Sequence, residues 1–87
     1  MILKVFTQPN CPKCPAAKTL ARQGQEEIAG WKVEEYDVTT VGGLAEASFY
    51  TVMATPTILL CTDKGKIVGD WRGKVPNLEE LKKHLSK

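Results

Sequence analysis

The sequence predicts an α/β fold with the element order β-α-β-α-β-β-α and a four-stranded mixed sheet flanked by helices. Two short apolar runs, residues 2–6 and 57–62, have the length and composition of buried strands. Between them, apolar and small residues recur at helical spacing over residues 12–29. Strands that alternate with helical segments indicate βαβ units, so we expect a parallel, right-handed first crossover and an antiparallel final hairpin.

Length and composition predict a single domain over residues 1–87. The chain has 87 residues, of which 43% are hydrophobic and 25% charged, and this balance is typical of a globular protein. No apolar stretch approaches the roughly 20 residues that span a bilayer. The formal net charge of +2 gives no electrostatic reason to expect nucleic acid or an acidic membrane as a partner.

The first half of the chain predicts a strand, a helix and a second strand. After the strand at residues 2–6, a helix is expected from Pro12 to Ala29, and Gly30 is a good C-terminal stop. The second strand is expected over residues 31–38, and its two adjacent glutamates suit a sheet edge. The buried stripe of the helix is expected to comprise Ala17, Leu20, Ala21, Gly24 and Ile28.

A shorter helix is expected between Thr39 and Met53. It should begin near Gly42 and Gly43, after which small and apolar residues recur. The side chains expected to face inward are Leu44, Ala47 and either Phe49 or Tyr50.

The last third predicts a β-hairpin followed by a helix. The apolar strand at 57–62 leads into a turn at 63–65, and residues 66–71 form the returning strand. Asn77 is expected to cap the last helix, because Glu80 follows it at capping-box spacing. The buried stripe expected for this helix comprises Leu78, Leu81 and Leu85.

The stretch Cys11-Pro12-Lys13-Cys14 carries the strongest functional signal. Two thiols in a C-x-x-C motif at a strand-to-helix junction are typical of thiol–disulfide chemistry. We expect Cys11 to lie exposed at the helix start, where the helix dipole and Lys13 favour its thiolate, and Cys14 to lie one turn inside. Cys11 would therefore attack a partner's disulfide, and Cys14 would resolve the mixed disulfide.

The other potential ligands and nucleophiles have structural interpretations. A metal site needs about four ligands, and beyond the C-x-x-C pair only Cys61 and His84 are available. Cys61 is expected to be an inert buried thiol and His84 a solvated residue near a helix end. No metal or cofactor is therefore expected. The odd number of cysteines, and Lys4 within the first apolar run, predict a reducing cytoplasm rather than export.

Thr55-Pro56 is the second signal, because a proline directly before an apolar strand must lie at the strand's first position or in a turn. Met53 and Ala54, which precede it, are candidates for contact with a partner's backbone. The sequence leaves open whether Trp31 and Trp71 lie in the core or at the surface, and at the surface Trp71 would be a candidate for the flank of a partner groove.

Together these motifs resemble those of the thioredoxin–glutaredoxin superfamily over essentially the whole chain. The matching features are the C-x-x-C after the first strand, Thr55-Pro56-Thr57 before the third, the hairpin turn, and Gly73 after the fourth strand. The resemblance implies a minimal thioredoxin fold. It also implies that Pro56 is cis and packs beside the active-site sulfurs, and that the backbone of Thr55 pairs with the substrate chain.

The resemblance further implies a monomeric dithiol oxidoreductase that reduces protein disulfides. Its site residues would be Cys11 and Cys14, supported by Pro12, Lys13, Thr55, Pro56 and Gly73. A flavin-dependent thioredoxin reductase or glutathione would recharge it. Two alternatives stay open: a glutathione-dependent glutaredoxin, and a non-enzymatic metal or iron–sulfur carrier that uses the cysteine pair across a dimer.

Overall fold

A computed structural model of the chain describes residues 1–83 and confirms the predicted order of elements. The strands and helices are β1 (Ile2–Thr7), α1 (Cys14–Glu27), β2 (Lys32–Asp37), α2 (Val41–Phe49), β3 (Thr57–Cys61), β4 (Ile67–Arg72) and α3 (Leu78–Lys82). The sheet has the strand order β2-β1-β3-β4. β1 pairs with β2 in parallel, whereas β3 is antiparallel to both β1 and β4. The fold is therefore the predicted α/β arrangement, with β2 at an edge.

The register of the sheet brings three connections to one end of the molecule. Phe6, near the end of β1, lies opposite Thr57 at the start of β3. Thr57 in turn lies opposite Arg72, the last residue of β4. The segment after β1, the segment before β3 and the segment after β4 therefore meet at the same sheet end.

The sheet buries an apolar core on each face. The core under α1 and α3 includes both tryptophans, with Trp31 7% and Trp71 9% exposed. Trp71 donates from its indole N–H to Glu80, at 3.2 Å. Trp71 is thus part of the core, which is one of the two placements that the sequence left open for it. The core under α2 is smaller and comprises Phe6, Ala47, Leu59 and Cys61.

Helix α1 begins later than the sequence predicts, at Cys14 rather than Pro12. Pro15 has no N–H to donate to the carbonyl of Cys11, so α-helical hydrogen bonding starts with Ala17 N donating to Lys13 O, at 3.2 Å. Cys14 is consequently the first helical residue and not one turn inside the helix. The helix also ends earlier, at Glu27, because the next residue has extended backbone angles.

Helix α2 begins at Val41, and Thr40 caps it by accepting a hydrogen bond from Gly43 N at 3.0 Å. Gly43 is required here because a Cβ atom would overlap the carbonyl of Asp37. This close approach fixes which side of the helix faces the sheet.

The inward face of α2 differs in part from the prediction. Ala47 is buried and Tyr50 packs partly buried against the smaller core, as expected. Phe49, the other alternative at the helix end, is 76% exposed, whereas Leu44, which the sequence predicts to face inward, is 58% exposed. The stripe through Gly43, Ala47 and Tyr50 has helical spacing, and the two exposed side chains lie outside it.

The capping box predicted for α3 is present. Asn77 accepts from Glu80 N at 2.8 Å, and the Glu80 side chain accepts from Asn77 N at 3.4 Å. Leu81 is fully buried, whereas His84 and Leu85 lie outside the described residues. Over residues 1–83, none of the helices has the length and apolar character needed to cross a membrane.

Candidate active site

The two cysteines of the C-x-x-C motif are joined by a disulfide, with their Cα atoms 5.4 Å apart. Cys11 lies in the loop before α1 and is partly exposed, whereas Cys14 is only 4% exposed. Solvent and a partner molecule therefore reach the two sulfurs unequally. This is the difference in burial that the sequence predicts, although Cys14 lies at the helix start.

The backbone around the pair presents Cys11 at the positive end of α1. Asn10 adopts a left-handed conformation, with φ of 64°, that turns the chain just before Cys11. Lys13 occupies the N-cap position, and the first turn of α1 contains no acidic residue. A thiolate at Cys11 would therefore face the helix dipole and a neighbouring cation without a nearby carboxylate in that turn.

Thr55-Pro56 lies at the same end of the sheet. The peptide bond between the two residues is cis, and Pro56 is fully buried. The Pro56 carbonyl accepts a hydrogen bond from Gly73 N at 2.9 Å. The structure thus brings the Thr55-Pro56 segment and Gly73 into contact, and the sheet register places both at the end where the cysteine loop leaves β1.

The backbone of Thr55 is available to a partner. Within residues 1–83, neither its amide nor its carbonyl forms a hydrogen bond with the rest of the chain. Its side chain is partly exposed, and Met53 nearby is 89% exposed. An extended segment could therefore add its backbone hydrogen bonds here, as a strand adds to a free sheet edge.

An open groove of about 290 Å³ adjoins this segment. Polar and apolar atoms contribute about equally to its lining, which comes from the loop after β1, from the residue after β2, from α2 and from the segment before Pro56: Gln8, Val38, Leu44, Ala47, Val52, Met53, Ala54 and Thr55. Sequence reasoning selected Met53, Ala54 and Thr55 but assigned Leu44 to the core. The signal it missed is that Leu44 lies outside the helical stripe through Gly43 and Ala47.

The sequence did not predict that Lys4 is a buried cation on the groove side of the sheet. The Lys4 ammonium lies 2.9 Å from Glu46 and 3.3 Å from Glu34, beneath α2. Burial by itself would lower the pKa of Lys4, but the hydrogen bonds to the two carboxylates outweigh it and raise the pKa. Burial and a hydrogen bond to Glu34 raise the pKa of Tyr36, which also borders this cluster, to about 12. The Lys4–Glu46 pair ties α2, one wall of the groove, to the sheet.

The third cysteine is separate from the pair. Cys61 is fully buried in β3, and burial raises the pKa of its thiol. It is therefore held as a thiol, in agreement with the prediction of an inert side chain. In the part of the chain that the structure describes, no three His, Cys, Asp or Glu side chains gather to hold a metal ion.

A bridged C-x-x-C at a helix start, at the same end of a four-stranded sheet as the Thr55-Pro56 segment, is typical of a thiol–disulfide oxidoreductase. Comparison with known proteins specifies the family. A family model described as a thioredoxin domain matches residues 1–86. The chain belongs to the thioredoxin family, whose members act on protein disulfides and are recharged by a reductase.

Individual relatives agree with this assignment. A probable thioredoxin of Archaeoglobus fulgidus is 33% identical over all of this chain and 88% of its own length. A thioredoxin of Methanocaldococcus jannaschii is 34% identical over 70% of this chain and 71% of its own length. The solved structure of thioredoxin 1 from Thermosipho africanus superposes with a TM-score of 0.78 at 16% identity, covering 99% of this chain and 91% of that one. The last comparison shows the shared fold.

Proposed function

We propose that this protein reduces disulfide bonds in protein partners, with Cys11 as the nucleophile and Cys14 as the resolving thiol. The observation that carries the proposal is the unequal burial of the bridged pair: Cys11 is partly exposed and Cys14 only 4% exposed. A partner's disulfide can approach the first sulfur from solvent, and the second is sheltered until the first has reacted.

The proposed reaction is two successive thiol–disulfide exchanges. The Cys11 thiolate attacks one sulfur of the partner's disulfide, forms a mixed disulfide and releases the other partner sulfur as a thiolate. The Cys14 thiolate then attacks the Cys11 sulfur, closes the Cys11–Cys14 disulfide and releases the second partner thiol. Two electrons pass to the partner, and the protein is left in the bridged form that the structure shows.

Partner recognition is assigned to the segment before Pro56. The unpaired amide and carbonyl of Thr55 would form backbone hydrogen bonds with an extended partner segment, and the adjacent groove would hold the side chains of that segment. Pro56 has no N–H and so presents no donor to the sulfurs. Pro12 and Lys13 are exposed in the loop that the partner would contact, and Gly73 holds Pro56 through the hydrogen bond from its amide to the Pro56 carbonyl.

For recharging, we favour a flavin-dependent thioredoxin reductase over glutathione. The curated relatives are thioredoxins, and Lys13 stands where glutaredoxins usually have tyrosine. We further propose that the protein acts as a monomer in the cytoplasm. The choice of reductant can be tested directly. The test compares the rates at which a flavin-dependent thioredoxin reductase and glutathione reduce the Cys11–Cys14 disulfide.

Trapping of the mixed disulfide tests the roles of the two cysteines. In a Cys61→Ala background, which removes the third thiol, Cys14→Ser should accumulate a covalent adduct with a disulfide-bonded protein such as insulin. Cys11→Ser should form no adduct and should lose turnover. Nonreducing gels and intact mass measure both outcomes. Capture by Cys11→Ser but not by Cys14→Ser would reverse the roles, and failure of the parent to reduce insulin would refute the proposed function.

A further inference from the structure

The segment between α2 and β3 is held at each of its two ends by a residue at the end of β4. The Arg72 guanidinium donates from Nη1 to the carbonyls of Tyr50 and Thr51, at 3.1 and 3.0 Å. The next residue, Gly73, donates its amide to the Pro56 carbonyl at 2.9 Å. The groove-lining residues 52–55 therefore lie between two sets of hydrogen bonds, which are made by the adjacent residues Arg72 and Gly73 at the end of β4.

The hydrogen bonds from Arg72 are made at a turn with an unfavourable backbone conformation. Thr51 has a φ of 56°, in the left-handed region that a β-branched residue rarely adopts. This turn redirects the chain from the end of α2 into the groove segment. The carbonyls of Tyr50 and Thr51 lie at the C-terminal end of α2, where helix carbonyls lack helical partners and a cation is stabilising.

Arginine suits this position for a geometric reason. Its planar guanidinium can serve two carbonyls and still direct Nε to the Asp70 carboxylate, at 3.0 Å. The strand register sets Arg72 directly opposite Thr57, one residue beyond Pro56. The Arg72 side chain thus reaches from the end of β4, the strand paired with β3, to the turn that precedes the groove segment.

We infer that Arg72 is a positioning residue that sets the segment Met53–Ala54–Thr55 for partner binding. This inference rests on the proposed function, in which the Thr55 backbone pairs with a partner segment. The side chain is 38% exposed, and its hydrogen bonds and ion pair within residues 1–83 are with Tyr50, Thr51 and Asp70 rather than with the cysteine pair. Its removal should loosen the binding edge and leave the chemistry of the two sulfurs unchanged.

The kinetic experiment measures the rate at which the pre-reduced full chain reduces a protein disulfide and a small-molecule disulfide in a single turnover. Arg72→Met retains the aliphatic stem and removes the donors. It should raise the half-saturating insulin concentration about tenfold, the factor that corresponds to about 1.4 kcal/mol of lost hydrogen bonding. The limiting rate, and the rate with a small nitrobenzoate disulfide that needs no backbone pairing, should stay within about twofold of wild type.

Two further variants make the comparison specific. Arg72→Lys keeps the charge but has no planar fork, so it should restore part of the insulin affinity. Arg22→Met removes an arginine that is 67% exposed and lies 3.8 Å from Glu35, so it should leave both substrates unaffected. If Arg72→Met binds insulin like wild type, or slows both substrates equally, the inference is wrong while the proposed function stands.

Amide hydrogen exchange tests the same inference without any activity. In Arg72→Met, and less in Arg72→Lys, exchange should accelerate about tenfold at the amides of Thr51 and Val52, which donate to the carbonyls of Ser48 and Ala47, while the amides of β1 and β3 keep their wild-type protection. Unchanged exchange at these two amides would overturn the inference whatever substrate the protein reduces. Equal acceleration at these amides and at those of β1 and β3 would also overturn it, because the arginine would then support the whole fold.

Discussion

Replacing Lys4 by methionine tests how α2 is held on the sheet. The Lys4 side chain is 10% exposed, and its ammonium lies 2.9 Å from Glu46 on α2 and 3.3 Å from Glu34 on β2. It also lies over the rings of Tyr36 and Tyr50, at 5.4 and 5.0 Å from their centroids. Methionine has a similar length and fills the same space, so the change removes the charge and its partners' hydrogen bonds without a large cavity.

The expected loss of stability is about 2 kcal/mol. A hydrogen bond to a charged group contributes about 1.5–3 kcal/mol, and a cation over an aromatic ring about 0.5–1 kcal/mol. Glu46 and Glu34 are 33% and 40% exposed, so water can replace part of the hydrogen bonding that their carboxylates lose when the Lys4 ammonium is removed. The loss should therefore fall short of the roughly 3–5 kcal/mol that follows from breaking a fully buried pair. For a domain of this size it corresponds to a fall in Tm of about 8–16 °C.

The difference between wild type and Lys4→Met should depend on pH. The hydrogen bond from Lys4 lowers the pKa of Glu46, so this carboxylate stabilises the folded state above its unfolded pKa of about 4.3. That stabilisation is lost as the pH falls through the lower, folded-state pKa of Glu46. The stability gap should therefore be full near pH 7 and should narrow below about pH 4.

Urea unfolding followed by tryptophan fluorescence measures the gap, since both tryptophans are buried in the core. The matched control is Lys64→Met in the exposed hairpin turn, which should change the free energy of unfolding by less than about 0.5 kcal/mol. If the free energy of unfolding of Lys4→Met lies within about 0.5 kcal/mol of the wild-type value near pH 7, the reasoning is refuted. A gap of the same size near pH 7 and near pH 3 would show that Glu46 is not the partner that matters.

Two further predictions concern the site and α2. The pKa of Cys11 in the reduced protein should lie below the free-cysteine value of about 8.5, and Lys13→Met should raise it; thiolate absorbance against pH measures both, and a value of 8.5 or more would contradict the electrostatic argument. Gly43→Ala should destabilise the protein by about 1–3 kcal/mol, because its Cβ would overlap the Asp37 carbonyl. Gly42→Ala, which meets no atom within 4 Å, should be neutral or stabilising, and equal thermal stability of the two variants would show that the close approach does not constrain α2.

Several elements were predictable because nearby residues determine them. The Asn77 capping box and the hairpin turn that ends at Gly65 depend on hydrogen bonds between residues a few positions apart. The C-x-x-C pair depends on a spacing that lets its two sulfurs bond, and its place after an apolar strand indicated a helix start. Local chemistry was thus sufficient for the element order and for the cysteine pair.

Only the tertiary structure decided how distant residues meet around that pair. The close approach of Gly43 to Asp37 turns Leu44 into the groove, although hydrophobicity alone assigned it to the core. Arg72 reaches the carbonyl of Thr51 because the β3–β4 register sets it beside the segment before Pro56. A sequence pattern records which residues are apolar or charged. It does not record the sheet register, and here the register determines which residues share a surface.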